Sequence, residues 1–228
     1  MNKAKLLLFI LNILLIGHLT YASDFHVMKT SLSEKRGKEQ YLLLDKYLDE
    51  IPRDSLKTKE HLIRLVLKQK RQTKDDIFKG RIYLKLANVL SNQNNLNHAL
   101  DTIFIAKNLI ELNNDNIGLA EYYRTIGLYY YESTNYYRSK TYYDSAIHVF
   151  KSLRMLDDLA ITYNLIGHNY SKKLDYYNSI KSYKKTEKLY LDSDNKKGLY
   201  SIYGNLSLVY KNSKMIEKAI EYNEKKIL

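Results

Sequence analysis

Cysteine and tryptophan are absent from this 228-residue chain, which holds one proline and eight glycines. Without cysteine there is no disulfide, no thiolate chemistry, no cysteine-bound zinc and no acylated lipoprotein residue. The dearth of proline and glycine leaves long helices uninterrupted. Catalytic signatures are missing as well. His18, His26, His61, His98, His148 and His168 form no HExxH or other metal spacing. There is no glycine-rich phosphate loop and no Gly-x-Ser-x-Gly elbow. The adjacent carboxylates Asp75-Asp76 and Asp157-Asp158 stand at expected helix starts, where they favour the positive end of the helix dipole. No catalytic residue, metal ligand or cofactor site is expected, and the chain reads as a non-enzyme.

What is present is a pattern repeated four times at a spacing of 40 residues. A tyrosine is followed by an aliphatic residue, a tiny residue and a large apolar one. The quartets are Tyr83, Leu86, Ala87, Leu90; Tyr123, Ile126, Gly127, Tyr130; Tyr163, Ile166, Gly167, Tyr170; and Tyr203, Leu206, Ser207, Tyr210. Later in each copy comes an apolar residue (Leu96, Tyr136, Tyr176, Ile216) and then a small one (Ala99, Ser139, Ser179, Ala219). Ala106, Ala146 and Thr186 stay small seven positions further on, where the last copy has Lys226. Spacings of three, four and seven lie on one helical face. Each copy therefore predicts two antiparallel helices whose small residues let the backbones approach. Turn formers separate them: Asn92–Asn95, Ser133–Asn135, Lys173–Asp175 and Asn212–Ser213 within copies, and Asn113–Asn116, Met155–Asp158 and Asp192–Lys197 between them. The 23 tyrosines are read as core packing on these faces, not as a stacking platform. A coiled coil would need unbroken heptads, which the recurring asparagine-rich breaks deny.

Segments such as TYNLIGHNYSKKLDYYNSIKSY and GNLSLVYKNSKMIEKAIEY resemble tetratricopeptide repeats, with tyrosine where that family usually has tryptophan and a period longer than its usual ~34 residues. The resemblance covers roughly residues 77 to 228. It implies an all-α fold, an α-α superhelix (a TPR-like solenoid of antiparallel helix pairs), and a role in binding other macromolecules. The expected repeats are 77–112, 117–154, 157–192 and 197–228, the last cut short, within a region 73–228. A degraded copy precedes them, with Leu56, Ile63 and Val66 in place but Lys59 at the small position. Residues 38–72 are thus expected to be an N-terminal capping repeat, and 23–37 a linker.

Residues 1–22 have the layout of a secretory signal peptide: Lys3 and Lys5, an apolar run from Leu6 to Gly17, and Thr20-Tyr21-Ala22 offering cleavage after Ala22. The expected protein is exported, periplasmic or secreted. An uncleaved N-terminal anchor is the alternative. Net charge is +12, concentrated in 53–85 and from 177 onward. Lysine outnumbers arginine 29 to 8, against the arginine preference of phosphate recognition. Nucleic acid is accordingly not the expected ligand, although a cytosolic helical-repeat nucleic-acid binder remains the rival reading, and a purely structural envelope scaffold another.

In the family, first helices line the concave surface. Opposite the packed stripe they carry here Arg81 and Lys85, then Glu121 and Thr125, then Ser201 and Asn205. The family's carboxylate clamp does not carry over, since only Arg81 and Lys85 match its paired basic positions. The middle of the groove offers Leu128, Ile161, Leu165 and Leu208 as an apolar strip beside His168, with Arg124 and Lys172 at its rim. A protein or peptide could dock there through a few apolar anchors, or these side chains could simply touch the neighbouring first helix. Gly127 and Gly167 are expected where a first helix meets its own second helix, with Gly167→Leu costly and Gly167→Ala neutral. At the far end Ile216, Ala219, Ile220 and Ile227 form an inner face with no polar capping helix after it. Either the sequence continues in a longer protein or this face pairs with something, a second copy included. Exported arrays of this kind resemble the extracytoplasmic halves of bacterial membrane-bound regulators. On that resemblance a membrane would be met only through an uncleaved N-terminal segment or a missing C-terminal part.

Overall fold

A computed structural model describes residues 24–52, 54–69 and 77–226; the signal-peptide reading of 1–22 and the placement of Ile227 lie outside them. Eleven helices and no strand occur among the described residues. Contacts divide the chain into two units, with the boundary between Phe78 and Lys79.

The first unit holds α1 (24–34), α2 (Gly37–Glu50) and α3 (Leu56–Gln69). Helix α1 corrects the expectation of a linker over 23–37. Its Leu32 is buried, its Phe25 ring lies 5.5 Å from the His61 ring, and its Leu32 carbonyl accepts from the buried amide of Gln40 at 2.8 Å. The same amide nitrogen donates to Gln69 of α3 at 2.7 Å, so one glutamine ties the three helices together. Tyr41 and Leu44 of α2 bury with Leu62, Ile63 and Val66 of α3.

The second unit is a succession of helix pairs: α4 (Ile77–Asn92) and α5 (Leu96–Leu112), α6 (Asn116–Glu132) and α7 (Tyr136–Ser152), α8 (Leu156–Lys172) and α9 (Tyr176–Asp192), α10 (Lys196–Asn212) and α11 (Ile216–Glu224). From α5 to α11 each helix packs on the next. The all-α helix-pair solenoid read from the repeats is the fold observed. Ala99, Ala106, Ser139, Ala146, Ser179 and Thr186 are fully buried, as are Ala87 and the Gly127 and Gly167 positions. Close approach is used three times for hydroxyl bonds across a pair: Ser179 donates to the Gly167 carbonyl and Ser207 to the Ala219 carbonyl, each at 2.8 Å, and Thr186 donates to the Ala160 carbonyl at 3.1 Å.

The helix pairs are joined by one device used seven times. Asn94, Asn114, Thr134, Arg154, Leu174, Asp194 and Lys214 all have φ between 50° and 63°. Around each, the following N–H reaches back five residues, as in Asn95 N–H to Leu90 O at 2.9 Å, and the left-handed residue's own N–H reaches back three, as in Asn94 to Ser91 at 2.9 Å. This is a Schellman C-cap. The residue after it doubles as the N-cap of the next helix; Asn135, Asp175 and Asn195 each accept from the N–H three positions on. Because these turns recur every 20 residues, the structural unit is a half-repeat, and the 40-residue sequence period is two of them.

Gly127 and Gly167 sit where expected, each against its own second helix. The expectation that alanine is neutral at 167 fails, however. A Cβ there would lie 2.3 Å from the Tyr183 ring, and one at 127 would lie 2.6 Å from Tyr143. The tyrosines use the missing side chain's space.

Candidate binding groove

The first helices α4, α6, α8 and α10 are linked in a row by side chains about one repeat apart in sequence. The Arg81 guanidinium of α4 grips the Asp115 carboxylate at the start of α6 with two hydrogen bonds, the Nε one at 2.6 Å, and both side chains are buried. Arg124 of α6 donates to Asp158 of α8 at 2.6 Å and lies 4.9 Å over the Phe150 ring. Asn205 of α10 donates to Asn164 of α8 at 2.9 Å. Arg81 is therefore spoken for, which removes half of the pair that could have imitated a carboxylate clamp. Asp115 joins the helices instead of capping α6, which is why that N-cap makes no side-chain bond.

Glu121 occupies the space between these cations. Burial pushes its carboxyl above the ordinary range, opposed by Arg124, Lys85 and Arg81. Opposed charges on α4, α6 and α8 thus meet one another in the first half of the row. The second half is different. Leu128 and Leu165 are half-buried, and Ile161 and Leu208 are 40% and 58% exposed. All four lie on first helices, with Lys172 exposed at the end of α8.

His168 is more constrained than the sequence suggests. Its Nδ1 lies 3.1 Å from the Tyr183 hydroxyl, with the rings edge to face at 5.5 Å, and its Nε2 lies 3.5 Å from the Asn205 amide nitrogen. It therefore joins α8, α9 and α10. Burial, with Lys172 adding to it, holds its pKa below the ordinary imidazole value, so it is neutral at pH 7. The signal for this was available: Leu128 and Leu208 occupy the same repeat position, and a histidine between two leucines needs a polar neighbour. That neighbour, a tyrosine fifteen residues on, read only as apolar core. The 34-residue ion pairs were illegible because Arg81 and Arg124 occupy different repeat positions.

Among the described residues no group of three or more His, Asp or Glu could hold a metal ion, and no helix is long and apolar enough to cross a membrane.

No protein-family model matches the chain, and no curated protein sequence does so. Solved structures do resemble it. BtubC (BKLC) from P. vanneervenii superposes with a TM-score of 0.63 at 18% identity, over 82% of this chain and 77% of that one. A signal transduction ATPase with numerous domains, carrying a tetratricopeptide repeat sensor, from Pyrococcus horikoshii gives 0.69 at 22% identity, over 88% of this chain but 31% of its own length. A Rap protein complexed with competence and sporulation factor gives 0.60 at 11% identity, over 83% and 68%. The fold of this chain is the tetratricopeptide-repeat fold.

Proposed function

We propose that the repeat region binds a polypeptide along the row of first helices, and that it serves as the non-enzymatic sensing or scaffolding part of an exported bacterial signalling protein. One observation carries the binding reading: Ile161 and Leu208 stand 40% and 58% exposed on successive first helices, beside half-buried Leu128 and Leu165. Their polar neighbours Asn164, His168 and Asn205 are bonded to each other, so the anchors offered to a ligand are aliphatic. Likeness of fold to a Rap protein complexed with a sporulation factor and to a protein with a repeat sensor supports the reading. Export rests on the signal-peptide layout of 1–22, with an uncleaved anchor as its alternative.

The test pairs two measurements. Ile161→Ser/Leu208→Ser should abolish crosslinking of a bound polypeptide from envelope extract while leaving the melting temperature unchanged, because both side chains are exposed. Retained capture would move the site off the first helices. N-terminal sequencing of protein recovered from the envelope should begin at Ser23. A full-length cytosolic product with salt-sensitive RNA binding would favour the nucleic-acid reading instead.

A further inference from the structure

We propose that the edge of the second unit formed by the α8–α9 and α10–α11 turns docks on an anionic lipid bilayer. The two turns share one edge because α8 and α10 are corresponding first helices, held side by side by the Asn164–Asn205 bond.

Three independent features meet there. The first is an apolar tip that neither folding nor solvation calls for. Leu174 occupies the left-handed position of its turn, at φ 60°, and is 70% exposed. Glycine or asparagine suits that conformation, and the α4–α5 turn has Asn94 there. The leucine side chain is held out to solvent there, outside the buried core of the second unit. The second is that the tip has company. Tyr177 is 76% exposed in the first turn of α9, and Met215 and Ile216 are about half exposed one repeat along. The third is charge. Lys172, Lys173, Lys211, Lys214 and Lys218 are all exposed on this edge. Against them stand Glu217 and Asp175, and the Asp175 carboxylate is engaged in capping α9. The α9–α10 turn at the opposite edge is balanced, with Asp192 and Asp194 beside Lys196 and Lys197.

The arrangement selects a bilayer over an acidic protein. A protein partner takes up its anchors in a contiguous, desolvated patch. Here single apolar and aromatic side chains protrude one turn at a time between lysines, which suits insertion among lipid headgroups, where tyrosine and short apolar tips partition and lysines meet anionic phosphates.

Flotation of the full chain with vesicles of two-thirds phosphatidylcholine and one-third phosphatidylglycerol, against vesicles of phosphatidylcholine alone, tests this. The N-terminal segment is the same in every variant, so differences report the edge. Lys173→Gln/Lys211→Gln should weaken binding to the anionic vesicles about twenty-five-fold, at roughly five-fold per lysine. Leu174→Asn should weaken it several-fold, and because asparagine accepts the left-handed conformation better, loss cannot be ascribed to unfolding. The control Lys151→Gln/Lys196→Gln, away from this edge, should leave binding within two-fold. Equal binding by the wild type and the edge variants would overturn the proposal. So would equal losses from edge and control variants, or binding of soluble polyglutamate as tightly as vesicles with no effect of Leu174→Asn, the behaviour of a generic basic surface.

Discussion

Gly167 faces the ring of Tyr183 and Gly127 that of Tyr143, and the residues answering to those tyrosines in the first and last repeats are Ile103 and Asn223. The tiny position is glycine where its partner is tyrosine, and alanine or serine where the partner is smaller. Gly167→Ala should therefore cost about 1–3 kcal/mol through overpacking, and Gly167→Ala/Tyr183→Ile should recover part of that loss, a coupling that denaturant melts of the double-variant cycle would measure. Additive losses would mean that the tyrosine ring moves aside freely. The same two tyrosines differ at their hydroxyls. Tyr183 is bonded to His168, but the equivalent of His168 in the preceding repeat is Leu128, and the buried Tyr143 hydroxyl has no hydrogen-bond partner. The nearby Ser139 hydroxyl accepts from the Asn169 amide at 3.0 Å. An unpaired buried hydroxyl is a standing penalty. Tyr143→Phe should be neutral or stabilise by up to about 1 kcal/mol, while Tyr183→Phe should cost about 1 kcal/mol. The reverse order would show that Tyr143, not Tyr183, has the better-bonded hydroxyl.

Helices and their turns were legible to different degrees. The quartets fixed which residues face the partner helix, because burial of Ile126, Ile166 and Leu206 follows directly from their spacing. The turn formers mark where helices end, but the half-repeat has no residue signature, since its marker is a backbone conformation shared by residues as unlike as Asn94, Thr134 and Leu174. The expected linker over 23–37 is helical over 24–34, and what shows it is tertiary: Leu32 is buried and its carbonyl accepts from Gln40 of the next helix. The groove residues were placed on first helices by counting, yet only side-chain geometry distinguishes exposed Leu208 from His168, which is tied into the fold. The turns yield their own test. Thr134 is β-branched and sits at φ 59°, where such a side chain is strained. Thr134→Gly should stabilise the protein by about 1 kcal/mol, whereas Asn94→Gly should be nearly neutral, because asparagine already tolerates that conformation. Thermal melts of the two variants decide it. An unstabilised Thr134→Gly would mean that the entropy glycine adds to the unfolded chain outweighs the relieved strain.

The whole second unit behaves as a stack whose stability is the sum of helix pairs and the joints between them. Helix α7 is packed on α6 and on α8, with Tyr143, Ala146 and Phe150 fully buried. Helix α11 is packed on α10 and buries Ala219 and Tyr222, the latter bonded to Lys184 of α9 at 2.5 Å. Its other face is open: Ile216 and Ile220 are 54% and 55% exposed. An element with one covered face should open locally at a lower free energy than one with two. In a dilute monomer, amides of Ile216–Glu224 should therefore exchange at least about ten-fold faster than those of Tyr136–Ser152, a difference of ~1.4 kcal/mol in local protection. The exchange rate of α11 should also fall with rising protein concentration if a second copy covers Ile216 and Ile220, and stay constant if none does. Equal protection of α7 and α11 at every concentration would show that Tyr222 and its bond to Lys184 hold α11 as firmly as two packed neighbours hold α7.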